Sequence, residues 1–413
     1  MFPWLDMLLL IVSGVFRVLF DTTFWLIIAL VAYQYWQLQK DQLKMFGVYG
    51  HSLRRQVLGA ALLGAVGGVI GSFILTIAGV TINNLGLSYI WPLAIALMLI
   101  SLRFLCFAYA GGLVAVSSVL FGWPEVNVPQ VLALVGGLHI TESILIYISG
   151  RHSAAPMILK KDDGRLVGAF NLQNFWPLPL VLLAAASVPE ASMPAAILKM
   201  PDWWPPLPIG EAPPAGHTWL YAMVPVVAAL GYGDIAVAST PAERRRTSAL
   251  HLALYSVALL ILAILSARYT WLQLPAALLS PLGHEFLIRL DNRREMHGEP
   301  RFVPPARGVM VLDTVVGTPS QKAGLRPGDI LLDLGGLPVN NGYELARAIS
   351  YAPVVFPFTY SRGGRSLVGK AAFADGQRRL GVIIVPEGYE QHYVQIIDKN
   401  YGLLDWLRRR FRK

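Results

Sequence analysis

Charge is the first scarcity. Only 14% of the 413 residues are Asp, Glu, Lys or Arg, while 55% are hydrophobic; a soluble domain carries about 25% charged residues. That balance excludes an ordinary water-soluble enzyme and points to an integral membrane protein. Cysteine is scarcer still. Cys106 stands alone in an apolar run, so no intramolecular disulfide forms and nothing demands an oxidising compartment. Also missing are a phosphate-binding loop, a Cys/His cluster at metal-ligand spacing and a Gly-x-Ser-x-Gly elbow. No cofactor, no metal and no nucleic-acid partner is therefore expected. Met1–Phe20 carries Asp6 and Arg17 and lacks the basic start and small-residue cleavage site of a signal peptide.

What is abundant is long apolar sequence. A spanning helix needs about 20 apolar residues. Candidate runs are Leu5–Trp36 (interrupted at Arg17 and Asp21), Val57–Ile82, Tyr89–Phe121, Val128–Ser149, Phe175–Val188, Trp219–Ala238, Leu250–Ala267 and Trp271–Ile288. They predict about seven to eight transmembrane or re-entrant helices in a polytopic domain over residues 1–290. Tyr89–Phe121 holds Arg103 near its middle and reads as one tilted helix or a broken pair. Phe175–Val188 and Trp271–Ile288 are short for a span.

Basic linkers set the orientation. Gln39–Arg55, Arg151–Arg165 and Pro241–Thr247, the last with Arg244, Arg245 and Arg246, all read as cytoplasmic. The proline-rich stretch Val188–Thr218, with Trp203-Trp204, reads as outside. One span per run puts Gln39–Arg55 and Arg151–Arg165 on opposite sides, a conflict that a break at Arg103 or an interfacial Met1–Phe20 would each repair. From Asp291 onward there are 18 Lys/Arg against 12 Asp/Glu, which favours a cytoplasmic C-terminal part facing anionic lipid.

After a linker at residues 291–301 the composition becomes that of a soluble α+β domain, expected over 302–388. Val309–Leu312 and Ile330–Leu334 are strand-length runs. Gly324, Gly328-Asp329 and Gly335-Gly336 mark turns, and Ser320–Ala323 and Tyr343–Ser350 read as helices. This order, in RGVMVLDTVVGTPSQKAGLRPGDILLDLGGLPVNNGYELARAI, resembles a PDZ domain, with Gly335-Gly336 where many relatives have Asn-Gly. No GLGF-like segment precedes Arg307, but Arg379-Leu380-Gly381-Val382 resembles one at the far end, as in the permuted bacterial type. A PDZ groove binds by strand addition. The resemblance thus assigns peptide binding to Arg379, Leu380, Gly381, Val382 and Ile383 on the strand side, and to Tyr343, Ala346 and Ile349 on the helix. Residues 389–413 end in GLLDWLRRRFRK, an amphipathic basic tail suited to anionic lipid.

Catalysis has one sequence candidate. SPLGHEFLIRL, Ser280–Leu290, offers His284-Glu285, but the second zinc ligand of a His-Glu-x-x-His helix would fall at Ile288. With no later membrane segment to supply an aspartate, His284 and Glu285 read as polar residues at a helix end near the interface. Inside the apolar runs, His139 and Glu142 lie one turn apart, and Arg103 is the expected partner of Glu142; a packing pair outweighs a proton path. Gly64-x-x-x-Gly68 and Gly67-x-x-x-Gly71 permit close helix contact.

The multi-span region with LHITESILIYISG and FNLQNFWPLPL, then SPLGHEFLIRLDNRRE and the PDZ signature, resembles the MinJ-like membrane PDZ proteins of Gram-positive bacteria. That resemblance implies a non-enzymatic scaffold of division-site selection in the cell membrane, enriched at septum and poles. It would bridge DivIVA-like and MinD-like partners and act through them on the FtsZ ring. A divergent site-2-type protease relative and a transporter subunit are the alternatives, and homo-oligomerisation stays open.

Overall fold

The computed structural model describes residues 2–48, 52–149, 154–194, 197–210, 212–373 and 378–395. Eight helices form its first part: α1 Trp4–Val18, α2 Thr22–Phe46, α3 Leu53–Ala78, α4 Leu87–Ile100, α5 Phe107–Phe121, α6 Val128–Ile148, α7 Pro241–Ser266 and α8 Gln273–His297. Among the described residues, α3, α6 and α7 are long and apolar enough to cross a membrane. A fourth span results if α1 and α2, bent by 71°, count as one. The bend falls where Arg17 and Asp21 interrupt the apolar run: Asp21 caps α2 by accepting the Thr23 N–H at 2.7 Å. The chain is a membrane protein with a C-terminal sheet region.

Two of the expected helices are strands. Phe175–Val188 lies in β3 (Asn174–Pro189), and Trp219–Ala238 takes in most of β4 (His217–Tyr232) and the short strand Ile235–Ala236; β3 and β4 pair antiparallel along their whole length. Hydropathy alone cannot separate a buried strand from a buried helix, but proline can. Pro177 and Pro179 would break a helix and are tolerated on a strand edge.

That edge lies against α3, and three of its donors find side-chain partners. Phe175 N–H donates to the Tyr35 hydroxyl at 3.4 Å, Val181 N–H to Ser72 Oγ at 2.7 Å and Ala185 N–H to Asn83 Oδ1 at 2.8 Å. At the alternate positions between them, Pro177 and Pro179 have no N–H to satisfy. An unpaired edge donor in an apolar phase costs several kcal/mol, so this accounting is what lets a hairpin sit among helices.

The small residues of α3 divide between two neighbours. A Cβ on Gly64 or Gly68 would stand 2.0 or 2.1 Å from the carbonyl oxygens of Pro177 and Pro179, whereas Gly67 and Gly71 face Leu145 and Thr141 of α6. The glycine motif thus seats a β-strand on one side and a helix on the other.

Tyr89–Phe121 is the broken pair. It divides into α4 and α5 at a short 3-10 turn, Leu102–Leu105. At 14 and 15 residues, each is about 21–22 Å long, short of a 30 Å hydrocarbon core. Their outer ends meet: Asn127 N–H donates to the Asn84 carbonyl at 2.9 Å. The pair therefore enters and leaves at one end of the bundle. Gln130 organises that end, accepting from Thr81 N–H and donating to the Gly79 carbonyl.

At the opposite end lie the remaining strands. β1 (Ala155–Lys160), β2 (Leu166–Asn171), β5 (Ile235–Ala236) and β12 (Val394–Gln395) form one sheet, in the order β12-β1-β2-β5. β6 (Val309–Thr314), β7 (Ile330–Leu334), β8 (Leu337–Pro338), β9 (Val355–Arg362), β10 (Arg365–Ala372) and β11 (Val382–Ile384) form another, flanked by α9 (Pro319–Lys322) and α10 (Gly342–Tyr351). Gly324, Gly328, Gly335 and Gly336 all have positive φ, as the turn reading requires.

Three further expectations change. Residues 291–297 continue α8 rather than starting a linker, because their polar groups are partnered. Asp291 is 7% exposed and accepts from His251 Nδ1 at 2.8 Å. Glu295 accepts the N–H groups of Val237, Ala238 and Ser239. Arg244 is no solvated loop charge but is buried in α7, 2.8 Å from Asp234 and 3.7 Å from Asp291. Finally, Phe302 is fully buried against Phe170, ring centroids 5.2 Å apart, so the sheet region shares a core with the helices. Of the expected tail over residues 389–413, Val394–Gln395 pair with β1 as β12, and residues 396–413 lie outside the described residues.

Candidate functional site

Two places concentrate the predicted residues. The first is a cleft of about 570 Å³ between β11 and α10, within the usual range for ligand pockets. β11 is the edge strand of its sheet, paired on one side with β6. Arg379, Leu380, Gly381, Val382, Ile383, Ala346 and Ile349 line the cleft; Tyr343 does not, and is 77% exposed. Helical geometry explains the exception: each three-residue step falls 60° short of a turn, so Tyr343 and Ile349 point about 120° apart.

Both ends of the cleft are fastened. Glu387 accepts the Gly342 N–H at 2.7 Å, tying the start of α10 to the segment after β11. Arg378, beside the predicted Arg379, donates to the Ser350 and Ala352 carbonyls at the helix end. Gly381 has φ +77°, and a Cβ there would meet Thr318 at 2.3 Å. Its carbonyl accepts from Val315 N–H and Ser320 Oγ. This loop is rigid, and only glycine fits it.

The far wall of the cleft comes from elsewhere in the chain. Met45, Phe46 and Val48 at the end of α2, and Ile158 of β1, complete the lining. Sequence reasoning missed them because nothing local links position 45 to position 380.

The second place is inside the helices, at the elbow between α4 and α5. Arg103 pairs with Glu285 at 3.3 Å, not with Glu142; Glu285 also accepts from the Tyr109 hydroxyl at 2.7 Å and from Arg289 Nε at 2.6 Å. Three ligands already satisfy that carboxylate, so Arg103 is held on α8. Glu142 faces His139, with 4.0 Å between Oε2 and Nε2.

His284 and Glu285 sit mid-helix in α8, not at a helix end. His284 Nε2 lies 3.9 Å from Cys106 Sγ, and His139 Nε2 lies 3.1 Å from the same sulfur. The three donor atoms all fall within 4.8 Å of one another. The histidine beside His284 comes from α6 and not from four residues along α8. A His-Glu pair in an apolar segment was the available signal; its companions are invisible without the tertiary fold.

No protein-family model matches the chain. Over 268 residues, 64% of each chain, it is 24% identical to the cell division topological determinant MinJ of Bacillus subtilis (strain 168). The chain is MinJ-like. The matched part spans about 64% of that relative's length. A shorter match, 34% identical over 68 residues and 16% of this chain, is to the protein named "Putative serine protease HhoA" of Synechocystis sp. (strain ATCC 27184 / PCC 6803 / Kazusa), of which it covers 17%.

Proposed function

We propose that this MinJ-like chain is a non-enzymatic membrane scaffold of division-site selection, with its β6–β11 region acting as a permuted PDZ-type module. The observation that carries this reading is the cleft: an edge strand with one free side, β11, opposite the helix α10, with both ends clamped. Such a cleft takes an extended segment of a partner as an added strand, with side-chain pockets supplying selectivity. By resemblance the partners are DivIVA-like and MinD-like proteins, and the residues that engage them are those of β11 and of α10 from Leu345 to Ile349.

The sheet end faces the cytoplasm in this proposal. Gln39–Gly47, Arg165 and the start of α7 all belong to that end, in keeping with the preference for basic cytoplasmic loops. The doubling back of α4 and α5 adds no net crossing, which brings Gln39–Arg55 and Arg151–Arg165 to the same side.

The test is Ala346→Arg in a full-length fluorescent fusion. A bulky cation in the cleft wall is expected to abolish septal and polar enrichment while membrane signal persists. Unchanged enrichment overturns the proposal.

A further inference from the structure

We infer that Cys106, His139 and His284 form a zinc site at the elbow between α4 and α5. The donor set comes from three segments far apart in sequence, and each side chain is already turned toward the others. Tetrahedral zinc, with bonds of about 2.3 Å to sulfur and 2.0–2.1 Å to nitrogen, places a sulfur and a nitrogen ligand roughly 3.6 Å apart. The observed 3.1 Å and 3.9 Å bracket that spacing.

The tautomers fit. His139 Nδ1 lies 2.8 Å from the Val135 carbonyl. A carbonyl only accepts, so Nδ1 carries the proton and Nε2 presents its lone pair to the sulfur and His284; a backbone carbonyl is a common outer partner of a metal-bound imidazole. The Ala108 N–H donates to Cys106 Sγ at 3.4 Å.

Cys106 and His284 are half-buried, and His139 lies behind them. His139 is 3% exposed. The rings of Tyr109 and Tyr255 stand edge-on to His284, centroids 5.3 and 5.9 Å away. Glu142 is the next donor within reach, 4.0 Å from His139 Nε2. One thiolate and two imidazoles suit a borderline-soft d10 cation and disfavour magnesium or calcium, which demand oxygen. Binding displaces the thiol proton to solvent and leaves both imidazoles neutral. Helices broken inside the bilayer are a recurring way to place an ion site at mid-depth.

The experiment uses the full-length protein in detergent, with an affinity tag free of histidine, stripped by chelator and reloaded with zinc or cobalt. One zinc per chain is expected by mass spectrometry. The cobalt form should show tetrahedral d–d bands and a thiolate-to-metal charge-transfer band. Cys106→Ser should abolish that band, and His139→Ala should weaken zinc binding by about tenfold or more. Failure of the correctly folded wild type to retain zinc overturns the inference, and so does a cobalt spectrum without thiolate charge transfer; neither reading needs a variant. A charge-transfer band that survives Cys106→Ser also overturns it.

Discussion

The Ser72 hydroxyl accepts the Val181 backbone N–H at 2.7 Å, and both residues are fully buried. This one contact joins the middle of α3 to the middle of β3, between the proline-protected positions and the Asn83 pair. Ser72→Ala leaves a buried N–H unpaired and should cost about 1–3 kcal/mol. Thermal unfolding in detergent measures it, and Ser72→Thr, which keeps the hydroxyl, should recover most of the loss.

Two glycines of the same helix make a matched comparison. A Cβ on Gly68 stands 2.1 Å from the Pro179 carbonyl oxygen, whereas one on Gly59 meets nothing within 4 Å. Gly68→Ala should destabilise by at least the 1–3 kcal/mol usual for overpacking. Gly59→Ala should instead raise the melting temperature, since alanine favours a helix by about 0.8–1.0 kcal/mol.

Arg244 links Asp234 to Asp291, and thereby α7 to α8. Its side chain is 3% exposed. Arg244→Met removes the cation but leaves two carboxylates close together in a dry place. The expected loss is about 3–5 kcal/mol, read as a lower yield of folded protein and a lower unfolding temperature. The double variant Arg244→Met with Asp234→Asn should recover part of it.

Asp313 in β6 gives the sheet region a pH dependence. Burial pushes its carboxyl up to about 6 from an ordinary 3.8, partly offset by the Thr314 N–H it accepts. Between those values the folded protein holds a proton that the unfolded chain has released. Stability therefore falls as pH rises from about 4 to about 6 and is level above that. The ceiling is roughly 3 kcal/mol, reduced by the partial exposure of the side chain. Asp313→Asn should flatten the slope of unfolding midpoint against pH over this window.

The legible part of this protein was the part whose signals are local. Turns at Gly324, Gly328 and Gly335-Gly336 demand positive φ whatever lies around them, and the helix read over Tyr343–Ser350 is α10, which Asn341 caps by accepting the Glu344 N–H. β3 and β4 were illegible by hydropathy, because an apolar surround erases the polar alternation that marks a strand in water. Pro177 and Pro179 were the surviving clue. α8 was cut short at Ile288 because charged residues follow it, yet Asp291 and Glu295 find partners in the fold. The elbow cluster needed tertiary structure outright, since Cys106, His139 and His284 come from three separate segments.

Gly381 is a poor place to probe the cleft. A substitution there collides with Thr318 and forces a side chain into left-handed backbone, so it would disturb the loop as well as any binding. Ala346 is the cleaner probe.

Met45 and Phe46 close the β11–α10 cleft from the end of α2. An occupant of the groove proposed above would touch the β6–β11 region and the end of α2 at once. Whatever shifts the end of α2 would then move one wall of that groove. A fragment beginning at Phe302 would carry the proposed groove without this wall.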